Sequence, residues 1–249
     1  GATYTLNGTA IASVSIGGAK SPAPKSHGTL SLTNGTLASV DAEIGPDPFG
    51  GGTVNIGSGA TWNNASLLTV GLDSKGTLSI SAGGDVTGGI CTLGYGSGVT
   101  GTLNVSGAGS TFTATSWLDI GGGGEGAANV SSGGKITAAQ ASLGAAPAAT
   151  GSVIIDGANS RFDLAGHFRV GEYGAGTLKI TGGGFVYNSQ YNATNYIGDQ
   201  SGSSGIVEVA SGGKWSMMGP LKIGHIGTAS VTLSGGSIHS ATGISMTES

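Results

Sequence analysis

Apolar and polar residues alternate with a period of two over short stretches along the whole chain. In Thr77-Leu78-Ser79-Ile80 the Leu and Ile fall on one side of an extended backbone and the Thr and Ser on the other. The stretch recurs as Gly-Thr-apolar-polar-apolar, with copies starting at Gly28, Gly52, Gly76, Gly101, Gly126, Gly151, Gly176 and Gly205 and looser ones at Ala2 and Ala229. Ten copies separated by 24 to 29 residues are the signature of a stacked array, here one array over 1–249 without an internal domain boundary.

Each unit carries two further fixed points. One is an aliphatic residue followed by Gly, as in Ile16-Gly17, Ile44-Gly45, Val70-Gly71, Leu93-Gly94, Ile120-Gly121, Leu143-Gly144, Val170-Gly171, Ile197-Gly198 and Ile223-Gly224. The other is a large apolar residue at Trp62, Val86, Phe112, Ile136, Phe162, Val186, Trp215 and Ile238. Three short strands per unit follow. The pattern predicts an all-β protein, a single-stranded parallel β-helix (β-solenoid) of about ten rungs of roughly 25 residues. Right-handed winding is the default for parallel crossovers.

No unit of this size encloses a core alone, but stacking in register sets Leu30, Val54, Leu78, Leu103, Ala128, Val153, Leu178, Val207 and Val231 in one internal column. A second column is Val14, Ala42, Leu68, Cys91, Leu118, Ala141, Phe168, Leu221 and Ile244, which makes Cys91 a buried, inert thiol. Lys179 and Glu208 share an outward column in neighbouring units, where they could pair.

Composition agrees with this picture. Glycine supplies 52 of 249 residues, and glycine disfavours helix while giving tight corners positive φ. A hydrophobic share of 37% with a net charge of only −4 speaks for a buried core over disorder. The nine Lys and Arg residues are scattered, so no nucleic-acid footprint is expected. No apolar run of 18 residues predicts a membrane span and no signal-peptide pattern opens the chain, so it is expected to be part of a longer protein.

Gly-Ser-Gly-Ala-Thr-Trp at 57–62, Gly-Ala-Gly-Ser-Thr-Phe at 107–112 and Gly-Ala-Asn-Ser-Arg-Phe at 157–162 recur every 50 residues, so two kinds of rung alternate from Gly52 to about residue 204. This double unit resembles the repeats of bacterial type V secretion (autotransporter) passenger domains and of PEP-CTERM-associated extracellular repeat proteins. The resemblance covers most of the chain and implies a secreted or surface-displayed β-helix used in adhesion, aggregation, biofilm or matrix. The C-terminal barrel strands of an autotransporter translocator are not found in this sequence.

Candidate chemistry is sparse. Polysaccharide cleavage needs close carboxylates on adjacent rungs, but Asp119 aligns with Glu43, Thr69, Thr92, Ser142, Arg169, Tyr196 and Lys222, so its neighbours along the stack are not acidic. Four histidines occupy unrelated repeat positions, and Asp41, Glu43 and Asp47, beside Pro46 and Pro48, read as a rigid polar turn before they read as a calcium loop. Gly121 to Gly124 is a rung corner, since no Lys-Ser/Thr follows. No catalytic, metal or cofactor residues are expected, and the protein is expected not to be an enzyme.

The longest unit, with Phe185, Tyr187, Asn188, Gln190, Tyr191, Asn192, Asn195 and Tyr196, is where a glycan or protein contact is expected, carried by Tyr187, Gln190, Tyr191, Asn192 and Tyr196. A polysaccharide-binding or polysaccharide-processing helix and a self-assembling fibre subunit are the alternatives to a plain adhesive rod. For the last, Ala2 and the residues after Ile244 would leave open end rungs that another copy could cover.

Overall fold

The computed structural model describes residues 11–17 and 27–247, in which twenty-four parallel-paired strands build a β-solenoid of about nine turns and no helix occurs. Nine turns begin at Gly28, Gly52, Gly76, Gly101, Gly126, Gly151, Gly176, Gly205 and Ala229; strand Ile11–Ile16 belongs to the turn before them. The copy placed at Ala2 lies outside the described residues.

Two sheets form the walls. The Gly-Thr-apolar strands, such as Gly76–Ser81, make a nine-stranded sheet; the other two strand signals share a fifteen-stranded one. In four turns those two signals run together as one long strand, namely Gly35–Ile44, Asp85–Leu93, Thr111–Ile120 and Lys135–Leu143. Elsewhere a bend divides them, as between Arg161–Leu164 and Phe168–Val170.

The register follows the repeat residue by residue. Leu30, Val54, Leu78, Leu103, Ala128, Val153, Leu178, Val207 and Val231 are successive Cα partners, and all but the terminal pair are fully buried. On the facing wall a second ladder alternates bulky and slim residues: Leu37, Trp62, Val86, Phe112, Ile136, Phe162, Val186, Trp215, Ile238. The two-turn alternation read between Gly52 and residue 204 thus continues through all nine turns. Rings in alternate turns leave volume that the β-branched residue between them fills, which is how interiors reach close packing.

The column holding Cys91 contains one residue that the sequence reading did not include. Phe168 pairs with Asn195, which pairs with Leu221, so Asn195 stands inside the core of the long turn and is fully buried. The sequence pattern groups it with the expected contact region, as it does Asn188, which is equally buried. The two satisfy one another: Asn188 Nδ2 donates to Asn195 Oδ1 (2.9 Å) and to Gly166 O, Asn195 Nδ2 donates to Ala193 O and Pro220 O (both 3.4 Å), and Asn188 Oδ1 accepts Gln190 N–H (3.1 Å). A buried amide is tolerated when its donors and acceptors are used.

Corners bring turns into backbone contact. Gly121, at φ +79°, lies so close to the following turn that a methyl group on it would sit 2.2 Å from Thr150 O. Gly126 has no room either: its methyl would meet Gly121 N at 2.0 Å. In the last turn the crowding is relieved, Ala229 takes the place of Gly126, and the inward Leu233, Ile244 and Met246 are 53%, 48% and 73% exposed.

Candidate functional site

Most outward positions carry small polar residues that bond along the stack. Asn129 Nδ2 donates to Asn104 Oδ1 (3.0 Å), and Lys179 Nζ lies 3.0 Å from Glu208 Oε2, the pair anticipated from the repeat. Asp47 Oδ1 accepts Phe49 N–H (2.9 Å) and Asp41 Oδ1 accepts Leu67 N–H of the next turn (3.1 Å), so these carboxylates fasten loop and strand. Among the described residues no three His, Cys, Asp or Glu side chains converge as metal ligands do.

The long turn starting at Gly176 departs from that plain surface, and its five singled-out residues fall in three places. Tyr187 is on the outer face of strand Phe185–Asn188, its ring stacked on Phe185 at 5.9 Å. Gln190, Tyr191 and Asn192 form the exposed tip of the bend that follows, and Gln190 and Asn192 line a 480 Å3 groove with His167 and Gln140. Tyr196 is on the outer face of strand Asn195–Ile197. The fold brings Tyr187 together with Phe185 and Arg161, and Tyr196 together with Arg169, Lys222 and His225, but does not join the two tyrosines in one site.

Around Tyr196 sits a charged cluster. The outward column runs Asp119, Ser142, Arg169, Tyr196, Lys222 in register. Two turns separate Asp119 from Arg169, and Arg169 leans across the turn between to place its guanidinium 5.5 Å from the Trp117 ring centre and 5.9 Å from that of Tyr196. Its Nε faces Asp199 Oδ2 (3.3 Å) and Glu172 Oε1 (3.5 Å). Asp199 is almost wholly buried and also accepts His225 Nδ1–H (3.0 Å). Trp117 Nε1 donates to Asp119 Oδ1 (2.5 Å).

Burial pushes the Asp119 carboxyl up to about 6, the Trp117 hydrogen bond pulls it down, Glu172 raises it further and Arg169 lowers it. A carboxyl displaced toward neutrality beside a second carboxylate is the electrostatic pattern of acid–base chemistry. Here, however, Arg169 already engages Glu172, and aromatic rings flank the guanidinium, so the charges are spent on one another.

The sequence reading missed Glu172, Asp199 and His225 as a group, although all three directly follow the corner glycines Gly171, Gly198 and Gly224 of successive turns. Aligning that corner position would have revealed them. Trp117 follows an irregularity in register between Ala114 and Trp117, which the repeat period hides.

The chain belongs to the structural class of parallel β-solenoids, with a continuous, largely apolar interior. In sequence it is similar to the Uncharacterized lipoprotein YdeK of Escherichia coli (strain K12). The two are 40% identical over 90 residues, which is 32% of this chain and 7% of that protein, so the match spans a small part of the relative's length. No family profile and no solved structure matches the chain. No helix among the described residues is long and apolar enough to cross a membrane.

Proposed function

We propose that the chain is a non-enzymatic, rigid spacer and adhesive segment of a bacterial surface-displayed or secreted protein. The observation that carries this reading is the ladder itself: nine turns stacked in parallel, with side chains of distinctive chemistry concentrated on the outer faces between Trp117 and His225. A rod of this kind holds such patches at a fixed distance from its base. Similarity to a protein named as a lipoprotein supports a surface location, and the repeat resemblance supports adhesion, aggregation or biofilm as the setting.

The test is display of the chain on bacteria that do not otherwise clump, with aggregation and surface attachment measured against cells displaying an unrelated rod of similar length. Increased attachment is expected. Attachment equal to the control, or release of reducing ends from a polysaccharide by the purified chain, would overturn the reading.

A further inference from the structure

The geometry points to a binding groove for an acidic saccharide on the outer face around Phe185, between Arg161 and Lys214. This deepens the adhesive reading above and assigns a ligand class to one face of the rod.

Four successive turns contribute Lys135, Arg161, Phe185 and Lys214 to one outward column as consecutive register partners. Three of the nine Lys and Arg residues of a chain with net charge −4 therefore stand in one line. Among the described residues the carboxylate ion-paired with them is Asp163 in the next outward column, and both of its oxygens are taken: Oδ2 by Lys135 Nζ at 2.9 Å, Oδ1 by Arg161 Nη2 at 2.8 Å and Nε at 3.2 Å; Asp85, two turns before Lys135 in the same column, accepts the Thr111 hydroxyl. Asp156, at the end of the other sheet, accepts Thr181 Oγ1–H (2.7 Å). Arg161 is held by its Nε and Nη2 edge, which leaves the Nη1 side unused, and Lys214 has neither ion pair nor side-chain hydrogen bond among the described residues.

Between these cations lies a groove of 420 Å3 whose wall includes the Phe185 ring and the bare corners at Gly183 and Gly212. The Arg161 guanidinium rests 4.9 Å from the Phe185 ring centre, and Tyr187 stacks beside it, so the ring is held in place by both. Strands in a sheet lie about 4.8 Å apart, which separates the Arg161 and Lys214 backbones by about 10 Å. An aromatic ring flanked by two cations at that separation suits a sugar whose C–H groups pack against the part of the ring that lines the groove while carboxylate or sulfate groups reach the guanidinium on one side and the ammonium on the other. A neutral saccharide would use the ring alone and leave Lys214 and the Nη1 side of Arg161 unused. The tip residues Gln190, Tyr191 and Asn192 are in the next bend and take no part.

Binding of the purified chain to polygalacturonate, dextran sulfate and neutral dextran tests this. Salt-sensitive binding to an acidic polymer is expected, the first two probes telling carboxylate from sulfate, with none to dextran. Lys214→Ala and Phe185→Leu should each weaken it at least tenfold while the melting temperature of Lys214→Ala stays that of the parent. Asp163→Asn should tighten it, and Tyr191→Ala should leave it unchanged. Equal binding to dextran, no binding to either acidic polymer, or parental affinity in both Lys214→Ala and Phe185→Leu would overturn the groove. Displayed cells separate this from the broader reading: polymer binding without any gain in attachment sinks the adhesive role and keeps the groove, whereas attachment that survives Lys214→Ala and Phe185→Leu places adhesion elsewhere on the rod.

Discussion

Adding one methyl group at three glycines should give three different outcomes, because the corners separate backbone conformation from crowding. Gly83 sits at φ +82° with nothing near the position a methyl would take. Gly83→Ala therefore faces only the left-handed backbone penalty, about 1 kcal/mol. Ala82, beside it in the same corner at φ +51°, and Ser132, two turns on at φ +54°, already bear such a conformation. Gly126 is outside the left-handed region, but its methyl would sit 2.0 Å from Gly121 N and 2.6 Å from Ile120 C, and overpacking against backbone costs roughly 3 kcal/mol.

Gly121 has both handicaps. Its methyl would lie 2.2 Å from Thr150 O, so to restore even a 3.0 Å approach the next turn would retreat by 0.8 Å. That retreat loosens the bonds Ala145 N–H to Gly121 O and Thr150 N–H to Gly124 O, each 2.9 Å now and each worth about 1 kcal/mol. Gly121→Ala is thus expected to destabilise by about 4 kcal/mol. Urea titration followed by circular dichroism ranks the three variants, and limited proteolysis locates the opened corner. If Gly121→Ala fell within about 0.5 kcal/mol of Gly83→Ala, close backbone approach would not be what these glycines are for.

Other changes have equally definite outcomes. Leu178→Asp sets a carboxylate into a closed aliphatic ladder and should cost several kcal/mol, whereas Thr177→Asp on the outer face should cost little; equal melting shifts would contradict the register. Burial pushes the Cys91 thiol up to about 12, so a bulky maleimide should label the protein only in denaturant, and rapid native labelling would contradict its place between Leu68 and Leu118. Asp119, raised in the fold, favours the folded state in its protonated form; that contribution is complete below the ordinary carboxylate range and is lost as pH rises through about 6. Asp119→Asn keeps an acceptor for Trp117, and is expected to raise stability at pH 8 by about 2 kcal/mol and to flatten the pH dependence between 4 and 7 in thermal melts; an unchanged profile would show that another group titrates. A double-mutant cycle on Lys179 and Glu208 should find about 0.5 kcal/mol of coupling that vanishes in high salt.

The fold was legible because the repeat states it many times over. Any one stretch such as Gly-Thr-Val-Asn-Ile is compatible with many strands, but nine copies in phase fix both the inward column and its partners. Legibility failed where polarity and direction part company. Asn195 and Asn188 are polar yet point inward, because each finds partners in the other and in neighbouring carbonyls, information absent from the alternation rule. Of the candidate site, the sequence supplied Tyr187 and Tyr196 but joined them, since proximity along a chain that bends says little about which face a residue shares. Arg169 was placed in its column, but its tilt across the Ser142 turn toward Trp117 depends on side-chain length and packing that no register describes.

The ring ladder of the fifteen-stranded wall constrains how a gene encoding such a rod can change length. Removing one turn, residues 76–100, would set Trp62 directly against Phe112 where Val86 now separates them. Removing two, residues 76–125, would set Trp62 against Ile136 and restore the sequence of wide and narrow layers. Duplication and loss are therefore expected to be tolerated in steps of fifty residues and penalised in steps of twenty-five. The rod lengthens by pairs of turns, and a natural series of alleles would differ by even numbers of them.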